Sequence, residues 1–286
     1  MGVSNASDLI LNKDGSVYHL SLKPKDISDI IFTVGDPGRV HRVSSHFDSI
    51  DFEMNKREFI THTGTINGKK ITVMSTGMGT ANIEILMLEL DLLANYDFSK
   101  KKFKAKKKSL NIIRLGTSGS MQSGLSVGSI LLSESAVGLD NLMSYYFYEE
   151  NKAQKEFSEE VKNHLDVDVT PYTADADEEL LEQFSNDSFV KGVTVTCPGF
   201  YGPQGREINL EIKDNKILEK LSYFHCQGKW LTNFEMETSA YYAFAKMLGH
   251  KALSVNAILA NRITGRFSSN PNRIVDRMIR NVIEKL

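Results

Sequence analysis

The chain has 286 residues, 41% apolar and 24% charged, and its 34 Lys and Arg against 36 Asp and Glu give a net charge of −2 with the histidines neutral. That balance gives no sign of a general nucleic-acid or membrane surface, and no apolar run approaches the roughly 20 residues that span a bilayer. The start, Met1-Gly2-Val3-Ser4-Asn5-Ala6-Ser7-Asp8, lacks the basic-then-apolar order of a secretory signal, and Ala6 stands where a myristoylation signal wants a hydroxyl. Cys197 and Cys226 form no CxxC and no metal-ligand spacing. A reducing cytoplasm is therefore expected, with no metal and no cofactor.

Short apolar or β-branched runs at 30–34, 71–75, 111–115, 129–133, 193–196 and 252–259 predict strands, each bounded by Gly, Pro or Ser. Helical spacing lies between them. Ile83, Leu86, Met87, Leu90, Leu93 and Ala94 recur at i, i+3 and i+4, as do Met236, Ala240, Ala243, Phe244 and Met247, with Gly249 as a stop. Ile274, Val275, Met278, Val282 and Leu286 mark a closing helix after Pro271. Residues 149–190 read as peripheral acidic helices. Seven lysines within 100–108 read as a solvated loop. Strands alternating with helices predict an α/β protein with a sheet covered on both faces. No linker-like segment divides 1–286, so one domain is expected.

Residues 111–119 carry the most information: an apolar run, Arg114 near its end, then Gly116-Thr117-Ser118-Gly119. A buried guanidinium is costly unless it meets an anion. A turn of Gly, Thr and Ser offers N–H groups and hydroxyls to that anion. The pairing predicts an oxyanion site, phosphate above all, at a strand end. Gly35-Asp36-Pro37-Gly38-Arg39 also follows a strand, and Arg39 can return to a ligand that the glycines let approach. Its plain alternative is a strand-to-helix turn. Ser75-Thr76-Gly77-Met78-Gly79-Thr80-Ala81-Asn82 opens a helix with small residues, suited to an anion or to close packing. Gln204 and Arg206, two residues apart in a Gly/Pro loop, match a heterocycle with carbonyl and imide edges such as uracil, and Phe200 can stack on the ring. Glu235 and Glu237 flank Met236 at a helix mouth, which fits either helix capping or the hydroxyls of a sugar.

Taken in order, Gly-Asp-Pro-x-Arg, Arg57-Glu58-Phe59, Ser-Thr-Gly-Met-Gly, Arg-x-Gly-Thr-Ser-Gly, Phe-Tyr-x-x-Gln-x-Arg and Glu-Met-Glu resemble the nucleoside phosphorylase family, and within it the uridine-cleaving members, from His19 to about Arg262. The resemblance implies a single-domain three-layer α/β/α architecture around a mixed, partly barrel-like sheet. It implies reversible phosphorolysis of uridine, with deoxyuridine or thymidine as further substrates, to uracil and ribose 1-phosphate. Phosphate is then a co-substrate held by Gly35, Arg39, Arg114 and Thr117, with Arg57 reaching the phosphate of a neighbouring subunit. His19 likewise caps the ribose 5′-hydroxyl across the interface. Thr117 and Ser118 lie beside the nucleoside, Gln204 and Arg206 read the base, Phe200 flanks it, and Arg262 sits near uracil O4. Glu235, Met236 and Glu237 hold the ribose. Arg114, Gln204, Arg206 and Glu237 carry the catalysis. Glu58 matches a carboxylate that joins an interface monovalent cation in some bacterial members, but Asn82 replaces their serine. Shared sites imply a dimer or hexamer.

Purine-cleaving relatives carry an aspartate after the late strand, and Ile258-Leu259-Ala260-Asn261-Arg262 has no acid. That favours a pyrimidine over a purine. A hydrolytic nucleosidase would not need three phosphate arginines. A non-catalytic nucleoside-binding protein would not need phosphate, ribose and base residues together.

Overall fold

The computed structural model describes residues 8–286; the leader and lipidation readings drawn from Met1–Ser7 lie outside the described residues. These fall into two compact units, residues 8–113 with 244–251, and residues 114–243 with 252–286.

The first unit contains β1 (Ile30–Val34), α1 (Pro37–Ser44), β2 (Ser49–Lys56), β3 (Phe59–Ile66), β4 (Lys69–Ser75), α2 (Thr80–Asn95), β5 (Tyr96–Asp97) and β6 (Lys102–Phe103). β1 and β4 pair in parallel, with Ile30 opposite Ile71, and β3 runs antiparallel between β4 and β2. The apolar runs revealed β1 and β4. They missed β2, an edge strand whose side chains are exposed apart from the half-buried Phe52 and Met54. Such a strand carries little periodic signal. α1 begins where Asp36 accepts the N–H of Gly38 at 2.9 Å and Pro37 takes the first helical position, a cap that satisfies an otherwise orphaned donor. In α2, Ile83, Leu86, Met87, Leu90, Leu93 and Ala94 are all buried, as their spacing predicts. The lysine-rich segment is exposed, yet its end is pinned. The buried Asn95 accepts the N–H of Lys108 at 2.7 Å and donates to its carbonyl at 3.1 Å.

Chain order continues with β7 (Asn111–Ser120), β8 (Ile130–Gly138), α3 (Lys152–Leu165), β9 (Tyr172–Asp175), α4 (Glu178–Phe184), β10 (Val190–Thr196), α5 (Ile217–Tyr223), β11 (His225–Cys226), β12 (Lys229–Glu235), α6 (Thr238–Leu248), β13 (Lys251–Asn261), β14 (Arg266–Phe267) and α7 (Pro271–Ile283). In the second unit β8, β10 and β12 are parallel, and β13 is antiparallel to β8. β7 neighbours β13 on one side and pairs antiparallel with β12 on the other, so β7, β12, β10, β8 and β13 close a ring. This is the α/β fold with a mixed, barrel-like sheet that the resemblance implied. A core of Val137, Phe157, Val161, Val195, Leu231 and Phe234 packs in this unit. The acidic stretch 149–190 holds helices as expected, α3 and α4, and also β9, which pairs with β8.

The expected turn at Gly116–Gly119 is not a turn. β7 runs straight through it to Ser120, with Gly119 opposite Phe234 and Ser120 opposite Asn233. Neither glycine has a positive φ. Small residues stand there because large side chains lie against them, as the site shows. Among the described residues no helix is long and apolar enough to cross a membrane. Both cysteines are free, and burial pushes the Cys197 thiol up, which keeps it an inert thiol.

Candidate active site

Arg114 lies inside the strand ring with a side chain 6% exposed. Its Nη2 is 2.6 Å from Glu237 Oε2 and 2.9 Å from Glu235 Oε2. Its Nη1 donates to Asn256 Oδ1 at 3.0 Å and Ser254 Oγ at 3.2 Å. The anion that a buried guanidinium demands is thus supplied by the chain itself, as two carboxylates. Burial works against the charge, but Glu235 and Glu237 outweigh it and hold the guanidinium above its usual range. Among the described residues these partners occupy both terminal nitrogens, which leaves Nε–H as the donor for a ligand. Gly116, two residues on and on the same strand face, lies beneath Nη1; a Cβ there would overlap the guanidinium.

The two carboxylates have separate duties. Glu235 accepts the N–H groups of Glu237 at 2.9 Å and Thr238 at 3.0 Å, and the hydroxyl of Thr196 at 2.8 Å. It therefore caps α6 and holds Arg114 at once. Glu237 is buried and bonds Arg114 directly. Met236 and Thr117 are half-buried. The Ser118 hydroxyl accepts from Asn233 Nδ2 at 2.9 Å.

A second cluster lies on the loop after β10. Gln204 is buried. Arg206 donates to the Phe200 carbonyl at 2.6 Å and to Gln204 Oε1, and its guanidinium lies 3.8 Å from the Phe200 ring centroid. One face of Phe200 is therefore covered by Arg206 rather than left open on both sides. Arg262 donates to the carbonyls of Gln204 at 3.1 Å and Gly205 at 3.4 Å, which ties the loop to the end of β13. Phe234 lies 5.6 Å from Arg206 and 5.8 Å from Arg262. Burial, and then the charge on Arg262, push the Arg206 guanidinium down to about 10; burial lowers Arg262 as well. The contrast with Arg114 is chemical. These two cations have neutral acceptors only, and among the described residues neither faces a carboxylate. Asn261 beside them is committed to structure: its amide donates to the Gln122 and Leu125 carbonyls at 2.9 Å and accepts the Thr264 N–H at 2.9 Å.

The first unit gathers the other candidates in two places. Gly77 sits at φ 71°, and a Cβ there would come within 2.6 Å of Asn82 Nδ2 and 3.1 Å of Glu58 Cγ. Only glycine fits that position. Gly35 abuts the same loop, its Cβ position 3.4 Å from the Gly77 carbonyl, and Arg39 rides the first turn of α1. Elsewhere, Glu89 of α2 accepts the N–H groups of His19 and Leu20, each at 2.9 Å, and faces His19 Nδ1 at 2.7 Å. A carboxylate at Nδ1 puts a hydrogen there and leaves Nε2 for another partner. The Tyr18 ring meets His19 edge-on at 4.9 Å, and the Arg57 guanidinium lies 5.6 Å from the same ring. Arg57 occupies the two-residue turn between β2 and β3 at φ 55°, a left-handed conformation that costs about 1 kcal/mol outside glycine. The two residues implied to serve a neighbouring subunit thus share one tyrosine.

Residues 29–282 match the phosphorylase superfamily. The chain belongs to that superfamily. It is 30% identical to the uridine phosphorylase of Thermococcus kodakarensis over 89% of this chain and 81% of that protein. It is 27% identical to the DeoD-type purine nucleoside phosphorylase of Bacillus subtilis over 89% and 91%. The crystal structure of a Trypanosoma brucei nucleoside phosphorylase, described as showing uridine phosphorylase activity, superimposes with a TM-score of 0.89 at 30% identity, over 97% of this chain and 99% of that one. The chain is therefore an enzyme of the pentosyltransferase kind. Against this superfamily fold, sequence reasoning overlooked Asn256, Ser254, Asn233 and Glu89. Each is a polar residue at a buried position of a strand or helix, and polar residues at core positions are the signal that could have found them.

Proposed function

We propose that this chain catalyses the reversible phosphorolysis of uridine to uracil and ribose 1-phosphate, with deoxyuridine and thymidine as related substrates, in pyrimidine salvage in the cytoplasm. The observation that carries the choice of base is the pair Arg206 and Arg262, two half-buried cations beside Gln204 that face no carboxylate among the described residues. As the bond from C1′ to N1 breaks, its electrons pass to the pyrimidine. Negative charge grows on the uracil carbonyls, where Gln204 and Arg206 donate, and such preset donors favour the transition state over the ground state. Asn261, with its amide used by the backbone, offers a purine N7 neither acid nor free donor.

The phosphate oxygen forms the new bond to C1′, so phosphate is a co-substrate and no covalent enzyme intermediate is needed. Gly35 N–H, Arg39, Thr117 and Arg114 through Nε–H would hold it, joined by Arg57 of a neighbouring subunit. His19 of that subunit would meet the ribose 5′-hydroxyl through Nε2. Met236 and Glu237 would hold the rest of the sugar. Glu235, its oxygens already taken by the helix end and Arg114, would act through them. The protein would then work as a dimer or as a hexamer of three dimers. A panel of uridine, deoxyuridine, thymidine and inosine, incubated with and without phosphate and followed by absorbance of the freed base, tests this. Uracil should appear only with phosphate; release without phosphate, or from inosine alone, would overturn it.

A further inference from the structure

The strand ring encloses a chain of buried hydrogen bonds whose direction can be worked out from its ends. Asn256, fully buried on β13, accepts from Arg114 Nη1 through Oδ1 at 3.0 Å. A guanidinium only donates, so the Asn256 carbonyl must face it and the amide NH2 must face away. That NH2 donates to Ser133 Oγ at 3.0 Å and Ser254 Oγ at 3.1 Å. At the other end, Thr194 donates its hydroxyl to Asn233 Oδ1 at 2.9 Å. With that hydrogen spent, the 2.6 Å contact between Ser133 and Thr194 runs from Ser133 to Thr194. Asn233 then donates from Nδ2 to Ser118 Oγ at 2.9 Å. Every bond in the series points the same way, from Arg114 through Asn256, Ser133, Thr194 and Asn233 to Ser118. Bonds aligned in this manner polarise one another. Ser118 receives at its oxygen, which leaves its own hydrogen for another acceptor.

We propose that Asn256 is a positioning residue: it fixes the guanidinium of Arg114 so that Nε–H faces the bound oxyanion, and it starts the one-way relay that orients the Ser118 hydroxyl. The inference rests on the reading of Arg114 and Thr117 as phosphate residues. The carboxylates of Glu235 and Glu237 hold one edge of the guanidinium and could let it swing; Asn256 and Ser254 hold the other edge and stop it. None of these residues bears a charge that varies near neutral pH in the relay itself, so its orientation is permanent.

The test compares wild type with Asn256→Leu and Asn256→Asp, all checked for folding by thermal melts. Phosphorolysis is measured over a range of phosphate and of uridine, and phosphate binding alone by calorimetry. Leucine keeps the volume and removes both the acceptor and the donor. The KM for phosphate, and its Kd, should rise by about tenfold to a hundredfold, the usual worth of a hydrogen bond to a charged group. The KM for uridine should move far less. Aspartate keeps an acceptor for Arg114, and beside that guanidinium it loses only the amide donor to Ser133. Asn256→Asp should therefore hold phosphate KM and Kd nearer to wild type than Asn256→Leu does, a rescue at the acceptor that a merely structural residue would not give. If Asn256→Leu folds and keeps phosphate KM and Kd within twofold of wild type, or if Asn256→Asp loses as much phosphate affinity as Asn256→Leu, the inference is wrong. If wild type releases no uracil, the functional reading fails instead, and the phosphate Kd values alone judge the role of Asn256.

Discussion

Gly116 lies directly under the guanidinium of Arg114, two residues earlier on the same face of β7. The glycine serves neither a turn nor a flexible backbone. It leaves room for a side chain that folds back over the strand. Both terminal nitrogens of that side chain are held by Glu235, Glu237, Ser254 and Asn256, so a methyl group at position 116 must displace the guanidinium.

Gly116→Ala should lower kcat/KM for phosphate by at least about tenfold, and stability by about 1–3 kcal/mol, the cost of overpacking a filled interior. Gly124→Ala, where a Cβ meets nothing within 4 Å, is the control and should change neither. Urea denaturation and steady-state kinetics on the two variants check this.

Arg206→Ala removes a donor aimed at the leaving base. The expected loss is about 10²–10³ in kcat, the range for removing one preset donor to a developing anion. The exposed Arg273 on α7 provides the comparison, and Arg273→Ala should leave turnover near wild type. Equal activity in the two variants would refute the base assignment.

The shared tyrosine between His19 and Arg57 makes the case for a composite site testable by mixing. Arg57→Ala and Arg206→Ala chains should each be nearly inactive. In a dimer with exchanged residues, one of the two sites of a mixed pair is intact. Co-expressed chains should then recover about a quarter of wild-type activity at random pairing. Recovery no greater than the sum of the separate variants would show that each subunit is self-sufficient.

His62 gives the pH dependence of the first unit. It is buried on β3, 2.9 Å from Ser44 Oγ and stacked edge-on with His41 at 4.7 Å. Burial lowers its pKa from 6.5; Glu53 pulls the other way and His41 adds to the lowering. The unfolded chain therefore takes up this proton first. The contribution of His62 is full above pH 6.5 and is lost as pH falls below that value. Urea midpoints at pH 7.5 and 5.5 should differ more for wild type than for His62→Gln.

Much of this was legible in the sequence because it depends on local chemistry. Apolar runs at 30–34 and 71–75 are β1 and β4, and the spacing of Ile83 through Ala94 is the buried face of α2. Asp36 and Pro37 announce the start of α1. What stayed hidden depends on partners far along the chain. Gly116–Gly119 read as a turn because glycine, threonine and serine favour turns locally, and β12 pairing with β7 overrides that preference. Arg114 read as needing an external anion because nothing near it in sequence shows that Glu235 and Glu237 arrive 121 and 123 residues later. The edge strand β2 was missed because it buries almost nothing. Asn256 sat unnoticed inside the apolar run of β13 for the same reason that makes it informative: a polar residue there has meaning only once its partner is known.

The central claim is that uridine is cleaved by phosphate and not by water. Its most direct test is to incubate the protein with uridine and inorganic phosphate and identify the sugar product. The account predicts ribose 1-phosphate in a one-to-one ratio with uracil, and no uracil when phosphate is left out. Free ribose, formed at the same rate whether phosphate is present or not, would contradict it.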